Sequence, residues 1–249
     1  MATPRARMQI LPVGDLTPAM WDEVWQLTCR FYETDRPWVE AKLRGTQRLA
    51  LFRDRADGSL VGMAAIEVDA LDFQGRRLLV IFTWHAIIDE RYRGQNLAQR
   101  AGVQTYLRTC LRHPLRRKLW AYDTFSYKSY WLLPRNLREF WPRHDRATPP
   151  WEAALMEHYG RRKYGDAWRG GVIERSPHKR LLPQTAELRP ELLQVPDLAY
   201  FARTNPGHAE GDMLFCLVPL GFANWWGILS NAFRRSFMRA PARRPSPRS

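Results

Sequence analysis

The sequence contains few cysteines and no long apolar segment. Among 249 residues only Cys29, Cys110 and Cys216 are cysteines, far apart and without a CxxC pair. Such spacing argues against a disulfide framework and against a zinc site. No segment reaches the ~20 apolar residues of a membrane-spanning helix, and no uninterrupted apolar run after residues 1–7 indicates a signal peptide. We therefore expect a cytoplasmic protein without a bound metal.

Acidic residues are scarce relative to basic ones. Lys and Arg number 39 and Asp and Glu 25, so the formal net charge is +14. Most of the excess is Arg, whose planar guanidinium binds phosphate at two points. The charge fits the phosphates of a nucleotide cofactor, an acidic carrier protein, nucleic acid or an anionic membrane surface. Composition does not choose among these partners. It is equally compatible with Arg side chains scattered over the surface without a function.

Length and composition indicate one main domain with an extension. Hydrophobic residues make up 45% of the chain and charged residues 26%, which is typical of a folded domain. A single core usually serves ~100 to 200 residues. We predict a main domain over residues 1–145, an extension over 146–240 that packs on it, and a disordered tail over 241–249 composed mainly of Pro, Arg and Ser.

The apolar pattern predicts a mixed α/β order of elements. A strand over Met8–Val13 precedes a helix with Thr17 as its N-cap and Pro18 in its first turn. Three strand-like segments, at 48–53, 60–69 and 77–87, are separated by turn sequences, which predicts an antiparallel meander. A helix over 97–111 then leads to a strand over 118–122, and a crossover helix implies parallel pairing.

Later segments are shorter or less regular. We expect a helix over 126–133 that ends at Pro134, and another over 150–164 with Thr148 as its cap. Met213–Val218 predicts a short strand, and residues 222–237 an apolar, aromatic helix. The aromatic side chains of the extension suggest a wall for an acyl or acceptor pocket, although core packing is their commoner role. These side chains are Trp141, Trp151, Trp168, Phe222, Trp225 and Trp226.

The segment Ile87–Ala98 and the order of elements around it resemble the GNAT acetyltransferase superfamily. Tyr92-Arg93-Gly94 and Ala98 fit that family's phosphate-binding signature, whereas Asn96 stands where the family usually has Gly. The resemblance spans about residues 8–142. It implies a mixed, mainly antiparallel central sheet with flanking helices, and an acyltransferase that uses acetyl-CoA or another acyl-CoA.

The signature has a physical basis. The first N–H groups of a helix lack partners within the helix and point along its positive end, so they bind phosphate. Small residues allow close approach, and Asn tolerates left-handed backbone angles better than most residues. The resemblance implies that the strand end follows the pantetheine arm and the turn holds the pyrophosphate. The implied cofactor-binding residues are Ala86, Ile87, Ile88, Arg93, Gly94, Gln95, Asn96, Leu97, Ala98 and Ser126.

The resemblance also suggests catalytic groups. His85, on the strand before the turn, is the preferred base, because its ordinary pKa of about 6.5 suits proton transfer near neutrality. Glu67 and Asp69 are alternatives. Tyr130 is the preferred acid for the departing thiolate, and Tyr127 lies on the same helical face. Packing in the core remains an alternative role for His85 and for both tyrosines.

The sequence thus predicts transfer of an acetyl or longer acyl group from acyl-CoA, or from an acyl carrier, to an amine. The amine belongs to a small molecule or a protein. The alternative is a GNAT-like module without catalysis that binds nucleic acid, a carrier protein or a membrane surface through its basic face.

Overall fold

A computed structural model describes residues 5–175, 177–182, 188–221 and Asn224. Its strands are β1 (Ala6–Pro12), β2 (Tyr32–Thr34), β3 (Arg48–Asp54), β4 (Leu60–Phe73), β5 (Arg76–Ile88), β6 (Arg117–Thr124), β7 (Trp168–Arg169), β8 (Val172–Ile173), β9 (Lys179–Leu181) and β10 (Met213–Pro219). The α-helices are α1 (Pro18–Cys29), α2 (Arg36–Arg44), α3 (Leu97–Arg112), α4 (Tyr127–Asn136), α5 (Pro150–Tyr164) and α6 (Pro196–Thr204).

An eight-stranded sheet forms the centre of the protein, in the order β1-β3-β4-β5-β6-β10-β8-β7. Every neighbouring pair is antiparallel except β5 and β6, which are parallel. The predicted meander is confirmed in β3, β4 and β5, and its tight turns use left-handed backbone at Gly58, Gln74 and Gly75. The predicted fold class, a mainly antiparallel mixed sheet with flanking helices, is confirmed.

Successive side chains of a strand point to opposite faces of the sheet, and here both faces are apolar. On one face, Ile66 and Ile81 pack with Leu97 and Ala101 of α3. On the opposite face, the amino-terminal helices and α5 cover the sheet. Phe82 and Phe215 pack there with Tyr159 of α5. This second face also carries His85, Glu67 and Asp69, which contact side chains of α1 and α5.

The C-terminal part of the chain contributes to the central sheet. β10 pairs with β6 from Leu214↔Thr124 to Pro219↔Leu119, and β9 pairs with β2 in a separate two-stranded sheet. The predicted strand over Met213–Val218 is therefore confirmed. Trp141 and Trp168 lie in the core, at 4% and 5% exposure, so they do not wall an open pocket.

Two predicted helix boundaries are wrong. α4 continues through Pro134 to Asn136, and the N-cap of α5 is Pro149 rather than Thr148. Thr17, by contrast, accepts a hydrogen bond from the Met20 amide as the predicted cap of α1. The predicted helix over 222–237 and the tail over 241–249 lie outside the described residues, apart from Asn224. Within the described residues, no helix combines the length and the apolar character needed to cross a membrane.

Packing of α5 on the sheet depends on the absence of a side chain at Gly160. A Cβ atom there would lie 2.4 Å from ring atoms of Trp168, whereas a Cβ at Gly102 of α3 would meet nothing within 4 Å. We predict that Gly160→Ala lowers the free energy of unfolding by about 1–3 kcal/mol, because the ring must shift within a packed core. Gly102→Ala is the control and should raise it by up to about 1 kcal/mol, through higher helix propensity.

Chemical denaturation of both variants measures the two effects. Equal stability of Gly160→Ala and wild type would contradict the close packing of Trp168 on α5.

Candidate functional site

The parallel strands β5 and β6 diverge near their carboxyl ends. Their register runs from Leu78↔Arg117 to Thr83↔Tyr122, whereas β5 continues beside β4 as far as Ile88. The β5 edge over residues 84–88 has therefore left its pairing with β6. An edge of this kind offers backbone N–H and C=O groups that can bind an extended chain. Ala86, predicted to lie along the pantetheine arm, is exposed on this segment.

A bulge at His85 shapes the same end of β5. Ala65 pairs with Trp84 and Met63 pairs with Ile87, so β5 holds one residue more than β4 over this stretch. The extra residue is accommodated by left-handed backbone at His85, where φ is 49°. In a regular strand Trp84 and His85 would point to opposite faces. The bulge instead brings their rings together, 5.8 Å apart between centroids.

His85 is buried, at 6% exposure, and both ring nitrogens have partners. Nε2 lies 3.3 Å from Oγ1 of Thr28, and Nδ1 lies 2.8 Å from Nζ of Lys179. The ring also stacks on Tyr32 at a centroid distance of 5.2 Å. Burial, reinforced by the positive charge of Lys179, lowers the pKa of His85 well below its usual value. His85 is therefore neutral near pH 7, as a base must be.

The segment after β5 is fixed by buried polar contacts. The Asp89 amide donates to the Val61 carbonyl, and the Asp89 carboxylate accepts from Arg30 at 2.5 Å and from the Arg91 amide at 3.0 Å. Burial favours the protonated acid, but hydrogen bonds from Arg91 and Arg30 outweigh it and hold the pKa of Asp89 at about 2. Tyr92 is buried, and its hydroxyl donates to Asp54 of β3.

The turn that follows contains two left-handed residues. Gly94 has φ 85°, and a Cβ there would meet nothing within 4 Å. Asn96, the N-cap of α3, has φ 54° and ψ 35° and makes no capping hydrogen bond through its side chain. The expectation that Asn tolerates this conformation in place of Gly is confirmed. Thr17 and Asp35, in contrast, cap α1 and α2 with their side chains.

The other predicted binding residues surround this turn. Arg93 pairs with Glu90 at 2.5 Å, and the side-chain carbonyl of Gln95 accepts from the Ala6 amide at 3.2 Å. Leu97 is buried against the sheet and anchors the first turn of α3. Ser126 is the N-cap of α4 and lies just beyond the carboxyl end of β6. Ligand contacts by these residues remain predictions.

Tyr130 lies in a packed cluster rather than at the diverging strands. It is 0% exposed, and its hydroxyl donates to the Pro142 carbonyl at 3.1 Å. Its ring packs against Phe201 at a centroid distance of 5.4 Å. Burial raises the pKa of Tyr130 far above its usual value. This arrangement favours a packing role, and the proposed acid role remains a prediction.

The alternative bases, Glu67 and Asp69, already accept hydrogen bonds from side chains on the second sheet face. Glu67 accepts from the Trp84 indole at 2.9 Å and from Lys163 at 2.8 Å. Asp69 accepts from the Tyr159 hydroxyl at 2.5 Å. Both carboxylates thus help to join α5 to the sheet.

Sequence reasoning missed Lys179, which contacts His85, and Asp123, whose carboxylate acts on the charge of Lys179. Asp123 accepts from Tyr164 at 2.9 Å, and burial raises the pKa of its carboxyl group. Its position at the carboxyl end of a parallel strand was a usable signal, because such ends often form sites in α/β proteins. Lys179 lies 94 residues beyond His85 in a segment without clear periodicity, so no local pattern identified it.

Comparisons with known proteins give only remote similarities. No protein-family model matches the chain, and no curated protein does. Among solved structures, a GNAT family N-acetyltransferase from Escherichia coli in complex with CoA is 20% identical with a TM-score of 0.36, over 53% of this chain and 68% of that one. An acetyltransferase of Trypanosoma brucei is 17% identical with a TM-score of 0.39, over 58% and 98% of the two chains.

Glucosamine-6-phosphate N-acetyltransferase of Arabidopsis thaliana is 11% identical with a TM-score of 0.35, over 53% of this chain and 89% of that one. In the described part of the chain, no group of three or more His, Cys, Asp or Glu side chains is arranged to hold a metal ion.

The contacts of Asp89 generate a pH-dependent prediction. Its folded-state pKa of about 2 lies below the ordinary value of 3.8, so its stabilising effect is present above about pH 4 and is lost as the pH falls toward 2. Asp89→Asn should lower the free energy of unfolding by about 1–2 kcal/mol at pH 7. This is less than the pKa shift alone implies, because solvent screens the exposed Arg partners. The difference from wild type should shrink between about pH 4 and pH 2.

Urea denaturation at several pH values measures this difference. The control is Glu90→Gln, whose side chain is 75% exposed and which should change stability by less than about 0.5 kcal/mol. A difference between Asp89→Asn and wild type that stays constant with pH would contradict the ion-pair explanation.

Tyr130 supplies a second test. Because its hydroxyl is held by Pro142 within a packed cluster, Tyr130→Phe should cost about 1 kcal/mol of stability. It should leave unchanged the turnover of acetyl-CoA that the family resemblance implies. Tyr127→Phe is measured in parallel as the other candidate acid. A fall in turnover of about 100-fold for Tyr130→Phe, with native stability, would instead establish the acid role.

Proposed function

We propose that this protein is an acyl-CoA-dependent acyltransferase of the GNAT type. The observation that carries the proposal is the continuous path from the free edge of β5 to the amino end of α3. The edge over residues 84–88 leaves β6, and the chain then passes through left-handed Gly94 and Asn96 into the helix. Pantetheine requires hydrogen-bonding backbone, which the β5 edge offers. Pyrophosphate requires unpaired amides, which the amino end of α3 offers further along the same path.

Three features of the turn fit a pyrophosphate. The first amides of α3 are not capped by the Asn96 side chain, and the first turn of the helix contains no acidic residue. The space beside Gly94 would admit a Cβ atom without contact, so phosphate oxygens can approach the backbone. Arg91 and Arg93 are 70% and 43% exposed and add positive charge near the turn.

The chemistry proposed for the site is direct transfer of the acyl group to an amine. The acceptor approaches from the second sheet face, where His85 lies beside Lys179. A neutral amine attacks the thioester carbonyl, the C–N bond forms, the C–S bond breaks, and CoA leaves as a thiol after gaining a proton. The proposed donors include acyl-CoA molecules with acyl groups longer than acetyl.

Binding without catalysis is the alternative function. In that case the basic surface holds nucleic acid, a carrier protein or a membrane surface. The turn at Gly94–Asn96 distinguishes the two, because only the acyltransferase requires it.

The test is thermal stability in the presence of CoA, acetyl-CoA and long-chain acyl-CoA. A ligand at 100 times its dissociation constant stabilises the folded protein by about 2.7 kcal/mol, so binding produces a clear shift. Asn96→Asp should remove most of that shift. The change is nearly isosteric, and Asp also tolerates left-handed backbone, but its carboxylate would stand where phosphate belongs.

Asn96→Gly is the matched control, because it keeps the backbone conformation without the charge and should retain binding. Asp at a helix N-terminus usually stabilises the helix, so the Asn96→Asp protein should be no less stable without ligand. Gly94→Glu should likewise abolish the shift. Absence of a shift with all three ligands would refute the proposed function.

A further inference from the structure

Lys179 occupies the point where the strands β5 and β6 diverge. Its Nζ lies 2.8 Å from Nδ1 of His85 on β5 and 5.6 Å from the ring centroid of Phe125, which directly follows β6. It also lies 4.2 Å from the ring centroid of Tyr32. A single ammonium group from the C-terminal extension thus contacts both sides of the proposed thioester site.

The position of Lys179 is fixed by β9. Lys179 pairs with Thr34 across the two-stranded sheet, and the flanking His178 carbonyl accepts from the Thr34 hydroxyl at 2.7 Å. On the other side, the Leu182 amide donates to the Phe31 carbonyl at 3.2 Å. The Lys179 residue is half-buried while the neighbouring Arg180 is exposed, so adjacent side chains of β9 have opposite environments.

Several groups determine the charge of Lys179. Burial lowers its pKa to about 8, and the Asp123 carboxylate opposes that effect. Neutral His85 faces it from β5, and the Tyr32 ring faces it from β2 with the hydroxyl protonated, since burial raises the pKa of Tyr32. From α5, Tyr164 donates to Asp123, and the charge of Lys163 also acts on that carboxylate. Lys179 therefore exchanges its proton near neutral pH.

The hydrogen bonds of His85 leave it poorly placed to accept a proton from a substrate. The Thr28 hydroxyl donates to the Val24 carbonyl at 2.8 Å, so its oxygen accepts from Nε2–H of His85. Nδ1 then accepts from Nζ of Lys179. Each ring nitrogen has a committed partner. Neutral Lys179, in contrast, donates one N–H to His85 and keeps its lone pair.

We infer that Lys179 is the general base of the acyl transfer, and that His85 and Thr28 position it. The inference rests on the proposed function and names a further catalytic residue for it. The Nζ lone pair takes a proton from the acceptor amine as that amine forms its bond to the thioester carbon. The C–S bond then breaks, and the resulting ammonium of Lys179 returns the proton to the thiolate of CoA. Lys179 is thereby regenerated and the proton count balances.

The experiment compares Lys179→Met and Lys179→Arg with wild type. Release of the CoA thiol from acetyl-CoA is followed between pH 6 and pH 9.5, with water alone and with spermidine or ethanolamine as the acceptor. We expect kcat to fall about 100-fold or more in both variants, which is the usual contribution of a positioned base. Arg keeps the positive charge but does not deprotonate in this range, so it should preserve the fold without restoring turnover.

The pH profile separates a base from a structural residue. Wild-type kcat/KM, expressed per concentration of the neutral acceptor amine, should rise with pH and level off above about pH 8, as Lys179 loses its proton. Both variants should lose this rise. The control is Arg180→Met on the same strand, which should keep the wild-type rate and profile.

Thermal shifts with CoA distinguish a wrong role for Lys179 from a wrong function for the protein. We expect Lys179→Met and Lys179→Arg to retain the wild-type CoA shift, because neither change touches the turn at Gly94–Asn96. If wild type shows that shift but Lys179→Arg keeps the rate and the pH profile, the inference about Lys179 is overturned while the proposed function stands. If wild type shows no shift with CoA, acetyl-CoA or long-chain acyl-CoA, both fall together.

Discussion

The left-handed backbone at His85 is the constraint on which the proposed site depends. A φ of 49° is uncommon for a residue with a side chain and costs on the order of 1–3 kcal/mol, so the surroundings must hold it in place. They do so with a ring stack on Tyr32 and hydrogen-bonding contacts at both ring nitrogens. The extra residue of the bulge bends β5 at the level where it leaves β6.

The bulge also explains why polar groups collect on one face of the sheet. With Trp84 and His85 turned to the same face, the indole N–H reaches Glu67 and the imidazole reaches Lys179. Buried charges are tolerated only when they are paired or hydrogen-bonded, and Lys163 satisfies Glu67 in this way. On the opposite face, apolar side chains such as Ile66 and Ile81 pack against α3, whose first turn contains no acidic residue.

The main features of the fold were predictable because they depend on local patterns. Alternating apolar residues and Gly-containing turns identify β3, β4 and β5, and helical spacing after the turn identifies α3. The conformation of Asn96 was also predictable, since few residues other than Gly adopt left-handed angles readily. The bulge at His85 was not, because it follows from pairing with β4, and a short polar–apolar sequence does not reveal its register.

The approach of Lys179 to His85 is the part of the site least accessible from sequence, and the reason is physical. β9 has only three residues, and its position is specified by β2 and by side chains of distant segments rather than by its own propensity. A strand this short gains little stability alone, so its place depends on its pairing with β2 and on its contacts with other segments. The contact between Lys179 and His85 therefore depends on the tertiary structure rather than on a local sequence pattern. Removal of β9 would leave His85 without its Nδ1 partner, so this strand contributes to the arrangement of polar groups at the bulge.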